Sequence, residues 1–172
     1  MPKIIAITGP SGAGKTTVSE EFTKRNKTYA NIDVDHLKHM NPNAFTKVVN
    51  DDGSEDFPYS AWRLLGKNTA ILAQSYIDNG LDVIINGYLE VEAWEEIEKQ
   101  ITIDYRLLLL PAESANIERD SQRTKEVQMG QKAVKRGQKH FKEERFFKKF
   151  ELIDTSNHSL LETVEFIEEM VK

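Results

Sequence analysis

A parallel β-sheet covered by helices on both faces is the fold class this sequence predicts, and three observations predict it. Short apolar runs of strand length recur along the chain, at KIIAIT, YANIDV, DVIINGY and YRLLLL. Longer stretches with apolar residues at helical spacing lie between them. A glycine-rich turn, GPSGAGKT, joins the first run to the first helical stretch. Strands that alternate with helices form βαβ units, whose crossovers bury both faces of a parallel sheet.

The elements follow in order. Lys3–Thr8 reads as a fully buried strand, and 14–25 as a helix with Val18 and Phe22 on one face. Tyr29–Val34 is the second strand. Residues 60–79 have a helical stripe of Leu64, Leu65, Ile71, Leu72, Tyr76 and Ile77, stopped by Asn79-Gly80. Asp82–Tyr88 is the third strand, and Val91–Gln100 a short helix with Trp94 and Ile97 inward. Tyr105–Leu110 is a strand ended by Pro111. Glu113–Thr124 and Lys132–Lys149 read as helices. Leu152–Asp154 lies in the last strand, and Ser159–Val171 is an amphipathic helix with Leu160, Val164, Ile167 and Val171 on its stripe. Ligands of such sheets bind beyond the carboxyl ends of the strands, which directs attention to the turns after each of them.

Length and composition bound the function. The 172 residues fit one domain, residues 1–172, with 39% hydrophobic and 30% charged residues. A net charge of -5 disfavours non-specific nucleic-acid binding. The chain has no cysteine, which removes disulfides, thiol nucleophiles and thiolate zinc sites. The first apolar run is too short for a signal peptide, and no run approaches the ~18 residues of a membrane span. A cytoplasmic protein without a membrane partner is the expectation.

Gly9-x-x-x-x-Gly14-Lys15-Thr16 fits the GxxxxGK[ST] pattern, after a strand and at the start of a helix. Glycines let successive N–H groups approach phosphate oxygens, and the helix N-terminus adds unpaired donors. Lys15 supplies charge for the β/γ-phosphates and Thr16 a hydroxyl for Mg²⁺. Gly9, Pro10, Ser11, Gly12, Ala13, Gly14, Lys15, Thr16 and Thr17 are therefore the expected nucleotide-binding set, with ATP and Mg²⁺ as cofactors. The competing account is a plain glycine-rich helix cap, which does not require the Lys-Thr pair.

No aspartate stands three residues before a glycine, and Asn26-Lys27 is followed by Thr28-Tyr29, so the GTPase switch and base-reading motifs are missing. No strand ends in Asp-Glu as in motor ATPases. Asp33-Val34-Asp35 ends the second strand instead. Alternation within a strand turns Asp33 and Asp35 to one side, where one supports Mg²⁺ and the other accepts a proton from a hydroxyl. The competing reading makes Asp35 a helix cap. Arg119 and Arg123, four apart, share a helix face and can clamp a triphosphate. Glu118, Asp120 and Glu126 are the partners if that face is merely solvated.

Together these segments resemble the small P-loop kinases of metabolites and antibiotics: shikimate kinase, gluconate kinase, chloramphenicol phosphotransferase and the zeta-toxin kinases. GPSGAGKT, VDHL, DVIINGY, ERDSQR and LIDTSNHSLLETVEFI stand in the family's order over nearly the whole chain. The branch most alike is that of the chloramphenicol phosphotransferases and zeta toxins. The resemblance implies a P-loop NTPase fold with five parallel strands ordered 2-3-1-4-5 and a lid over about 112–135. It implies Asp35 as general base and Asp33 near Mg²⁺. Lys15 and Arg123 stabilise the transferring phosphoryl group. Arg119 lies at the adenine or phosphate, with Thr155 in an adenine-side wall. Asn86-Gly87 stands where the antibiotic kinases carry an acid, and residues 41–59 match no member.

The region 36–63 is expected to cover a small-molecule hydroxyl acceptor. Its candidates are His36, Met40, Phe45, Phe57, Tyr59, Trp62 and Arg63, joined by Tyr88 and Glu90. Ordinary packing under a loop is the competing account for Tyr59 and Trp62. His36 and His39 lack a third ligand for a metal. Lys132–Lys149 is basic and aromatic, read as an exposed amphipathic helix with Phe141, Phe146 and Phe147 partly inward, rather than an RNA site. The expected activity is ATP:hydroxyl phosphotransfer by a monomer or homodimer. The alternatives are a nucleotide-binding regulatory module and a toxin-like kinase of a nucleotide sugar.

Overall fold

The computed structural model describes residues 1–49 and 55–172. The elements run β1 Ile4–Thr8, α1 Lys15–Arg25, β2 Tyr29–Asp33, α2 Val34–His39, β3 Val48–Val49, β4 Glu55–Asp56, α3 Tyr59–Asp78 and β5 Asp82–Asn86. They continue with α4 Val91–Glu98, β6 Tyr105–Leu109, α5 Glu113–Ser121, α6 Gln131–Glu143, a 3₁₀ turn Arg145–Lys149, β7 Glu151–Ile153 and α7 Leu160–Met170. Five strands form one parallel sheet ordered β2-β5-β1-β6-β7. Counted within that sheet alone, this is the expected 2-3-1-4-5. β3 and β4 pair as a separate small antiparallel ribbon.

Strand alternation builds two cores. Ile4 and Ala6 face one side with Ile32, Val83, Ile85 and Leu108, where α3, α4 and α6 cover them. Ile5 and Ile7 face the other with Ile84, Leu107, Leu109 and Ile153, under α1 and α7. Both faces are dry, which is why the strands are apolar throughout rather than alternating with polar residues. α7 starts at a reciprocal cap, in which Ser159 Oγ accepts from Glu162 N and Glu162 Oε2 accepts from Ser159 N at 2.8 Å. Among the described residues no helix is long and apolar enough to cross a membrane.

Several expectations need correction. Leu64 and Ile71 are 41% and 62% exposed, so they do not lie on the buried stripe of α3. That face is made of Ala61, Trp62, Leu65, Gly66, Thr69, Ala70 and Ala73. Small residues win because α3 lies almost against α4: a Cβ on Gly66 would stand 2.3 Å from the Ala93 carbonyl oxygen. Leu160 is partly exposed at the start of α7. The 132–149 helix breaks after Glu143, and Glu144 caps the 3₁₀ turn by accepting from Phe146 N. Phe141 and Phe147 are nonetheless buried, as that reading held. Of the unmatched segment 41–59, residues 50–54 lie outside the described residues.

Candidate active site

The carboxyl ends of β1, β2 and β5 come level, with Ile7 and Asp33 both in register with Asn86. The glycine-rich turn leaves β1 at this edge and enters α1 through Gly14. Its φ of 95° is left-handed backbone, open to glycine at no steric cost. Lys15 Nζ folds back to donate to the Pro10 carbonyl at 3.0 Å. Burial lowers its pKa to about 8. The charges of Asp35 and Asp33 pull it up, and that of Arg123 pushes it down. The lysine therefore senses three of the residues singled out in the sequence.

The Asp-x-Asp segment is placed differently from the strand alternation expected of it. β2 ends at Asp33, and Val34 is the first residue of α2, with its side chain in the core. Asp33 is the cap, accepting from Asp35 N at 2.9 Å through Oδ1. Its other oxygen accepts from Thr16 Oγ1 at 3.2 Å. Asp35 is thus not the cap. Its carboxylate is exposed and engaged by no hydrogen bond or ion pair among the described residues. The hydroxyl and carboxylate pair of Thr16 and Asp33 is a hard oxygen donor set that fits Mg²⁺, which takes few protein ligands and keeps water and phosphate for the rest.

The two arginines do not share a helix face. α5 ends at Ser121, and Arg123 lies in the turn beyond it. Arg119 donates to Thr155 Oγ1 at 3.0 Å and to the Thr155 carbonyl at 2.6 Å, fixing the turn after β7. Arg123 donates to Ser11 Oγ at 2.8 Å, on the phosphate loop itself. Asp120, expected as a surface partner, is buried: it accepts from Met129 N and Gly130 N and also pairs with Arg123 at 3.5 Å.

Two residues without a signal in the sequence support the same loop, one directly and one through the other. Buried Asn116 donates from Nδ2 to the Ser11 carbonyl at 2.5 Å. Buried Gln138 donates to Asn116 Oδ1 at 2.9 Å and to the Pro111 carbonyl at 2.8 Å. A Cβ at Gly12 would meet Asn116 Nδ2 at 2.7 Å. Helices α5 and α6 are thereby wired to the glycine-rich turn.

On the acceptor side, Trp62 is 3% exposed and forms a core wall, whereas Tyr59 is 69% exposed. Phe45, Phe57 and Trp62 pack edge to face, and Lys38 Nζ lies over all three rings, at 5.0, 4.5 and 5.0 Å. Burial lowers the Lys38 pKa, opposed by Asp35 and then Glu90. Tyr88 donates its hydroxyl to Glu90 Oε1 at 2.5 Å, and burial followed by that carboxylate pushes the phenol well above its usual value. A cavity of about 320 Å³ opens beside these groups, lined by Phe57, Tyr59, Trp62 and Glu90 among others. His36 is exposed on α2. Arg63 is absent from the cavity and turns toward α4, where it adds charge near Glu96 after Lys99 and Lys67. A larger hollow of about 560 Å³, beside Ile71 and Gln100, lies away from the sheet edge.

Glu90, three residues after Gly87, is the carboxylate that follows β5 at the cavity wall. Lys38 lies one helical turn after Asp35, a spacing that was available as a signal. Asn116 and Gln138 offered none, because their partners are remote in sequence.

Comparison with known proteins adds the following. The model of the Zeta toxin family matches residues 1–111. No curated protein matches in sequence. Among solved structures, the tunicamycin resistance protein of Deinococcus radiodurans superposes with a TM-score of 0.70 at 15% identity, over 99% of this chain and 96% of that one. A sugar kinase from Janibacter sp. HTCC2649 gives 0.67 at 13% identity over 99% and 95%. Shikimate kinase from Acinetobacter baumannii, in complex with shikimate, gives 0.64 at 14% identity over 99% and 93%. Likeness at that identity establishes the fold.

Proposed function

The chain belongs to the Zeta toxin family, and from that premise and the site geometry we propose that it is an ATP:hydroxyl phosphotransferase acting on a small molecule. In this reading residues 1–172 form one kinase unit, with a lid over about 112–135 and an acceptor cover over 36–63. Amides of Gly9–Thr17 and the Lys15 ammonium hold the polyphosphate. Thr16 and Asp33 hold Mg²⁺, which, when bound, neutralises phosphate charge. Arg119 and Thr155 stand on the base side.

Asp35 orients the acceptor hydroxyl and takes its proton. The hydroxyl oxygen forms a bond to the γ-phosphorus as the bond to the β–γ bridging oxygen breaks, and the electron pair leaves on ADP. Arg123, already at Ser11, is within reach of the charge that develops on the transferring group. One observation carries the reading: Lys15 on the donor loop senses Asp35, Arg123 and Asp33 together, while no hydrogen bond or ion pair among the described residues occupies the Asp35 carboxylate.

The experiment is ADP release across sugars, sugar acids, nucleosides and aminocyclitol and phenicol antibiotics, with Asp35→Asn as control. Transfer by the wild type and a loss of about 10²–10⁴-fold in kcat for Asp35→Asn, with nucleotide affinity nearly intact, is expected. Full activity in that variant would sink the assignment.

A further inference from the structure

Asp120 lies near the end of α5 and is 3% exposed. Among the described residues its carboxylate is bound wholly by the loop 122–130 that follows. At the far end of that loop, Oδ2 accepts from Gly130 N at 2.9 Å and Oδ1 from Met129 N at 3.2 Å. At the near end, Arg123 Nη1 stands 3.5 Å from Oδ1. One buried carboxylate thus ties both ends of the loop. Gln128 fastens it again, donating from Nε2 to the Ser121 carbonyl at 2.9 Å and to the Arg123 carbonyl at 2.7 Å. Gly130 lets the chain return: its φ of 82° is backbone that other residues rarely adopt, although a Cβ there would meet nothing within 4 Å.

Arg123 is the part of this loop that reaches the donor site. Nη1, the nitrogen that faces Asp120, also donates to Ser11 Oγ at 2.8 Å. Nη2 and Nε make no hydrogen bond among the described residues. Burial is the first cause of the low Lys15 pKa, and the Arg123 charge adds to it, so the two cations lie close together at the phosphate loop. A guanidinium is a rigid fork, so fixing one nitrogen on a buried carboxylate fixes the direction of the other donors. An arginine on an untied loop would have to be ordered at each binding event.

We infer that Asp120 is a positioning residue: through loop 122–130 it holds the Arg123 guanidinium against Ser11, with Nη2 and Nε left to meet the γ-phosphate of the nucleotide. The γ-phosphate contact rests on this geometry. Its use in transfer rests on the phosphotransferase reading.

The test is a double-mutant cycle of Asp120→Asn and Arg123→Ala in the full chain with Mg²⁺. Titration calorimetry compares the β,γ-imido analogue of ATP with ADP, and the ratio of their affinities reads the γ-phosphate contact. Arg123→Ala should cut that ratio about tenfold. Asp120→Asn should cut it at least about threefold with Arg123 present, and by less than about 1.5-fold once Arg123 is replaced. A carboxylate that merely holds the fold together acts alike in both backgrounds. Equal losses in the two backgrounds, no loss from Asp120→Asn, or no loss from Arg123→Ala overturns the inference. Gly130→Ala disturbs the same loop with both side chains in place and should behave as Asp120→Asn does, so it decides the matter if that variant fails to fold. ADP release is followed separately with ATP and the hydroxyl panel, where Asp120→Asn should lower kcat about tenfold to a hundredfold. An unchanged kcat also overturns the inference. The expected cycle without ADP release from the wild type would leave the γ-phosphate contact standing and remove the phosphotransferase reading instead.

Discussion

Residues 9–17 reach the sheet edge as one continuous segment, whereas the cavity of about 320 Å³ is assembled from side chains of β4, α3, α4, the turn before α4 and the C-terminal end of α6. In the proposed reading the loop holds a polyphosphate with backbone amides, which most side-chain changes leave in place. It leaves no room for change: a Cβ at Gly12 would strike Asn116. The cavity is walled by side chains, among them the carboxylates of Asp56, Glu90 and Glu92 and the rings of Phe57 and Tyr59. A polyphosphate is a constant ligand and an acceptor a variable one. The contrast teaches that the donor side is specified by conformation and the acceptor side by composition.

Lys15 tests the comparison with the largest effect. Its pKa near 8 in the unliganded protein lies below the 10.5 of an ordinary lysine. A bound polyphosphate raises it, so above pH 8 each binding event takes up a proton and ATP affinity falls as pH rises. Below pH 8 the ammonium is charged in both states and this dependence vanishes. The unfolded chain holds more protons between pH 8 and 10.5, so the stability of the empty protein rises across that window. Lys15→Met should remove both slopes and weaken ATP about a hundredfold at pH 7, or about 2–3 kcal/mol. Calorimetric titration across pH checks this, and unchanged ATP affinity in the variant would refute the phosphate-loop assignment.

Asn116→Leu is the intermediate test. It strips the Ser11 carbonyl and Gln138 of a buried partner, which should cost about 1–3 kcal/mol in denaturant unfolding. It should also raise the KM for ATP while leaving the acceptor KM unchanged. A variant of wild-type stability and kinetics would show that the donor loop holds its shape without α5. Lys38→Met should do the least and act on the opposite side. Losing the ammonium from three rings costs about 1 kcal/mol, expected as a changed acceptor KM with ATP affinity untouched. An equal effect on both substrates would break the division between the two halves.

The same division explains what could be read in advance. The alternation of apolar runs with helical stretches carries the sheet, because burial on both faces leaves its mark on every strand residue. The phosphate loop is legible because its chemistry is local. α3 was misread for a physical reason: hydrophobic periodicity weights large residues, while contact with α4 selects the small ones at Gly66, Ala70 and Ala73. Alternation assigns Asp33 and Asp35 to one strand face, but aspartate before a helix is also a cap, and the chain turns helical at Val34, before alternation can apply. Asn116 and Gln138 stayed hidden because their bonds join residues 105 and 22 positions apart, and one sequence does not record such partners.

β1 occupies the middle of the sheet, yet neither of its neighbours is near it along the chain. The Lys3 amide is bound by Asp82, 79 residues on, and the Ile4 amide by Asp104, 100 residues on. During synthesis the first strand therefore leaves the ribosome long before anything can pair with it. Its apolar row, IIAIT, can pack on α1 at once, but its strand partners come only 79 and 100 residues later, at Val83 and Tyr105. Contacts of such separation slow folding and prolong the exposure of sticky edges. The strand that launches the phosphate loop is thus fixed in the sheet only by pairings of long range, which ties formation of the loop to late folding events.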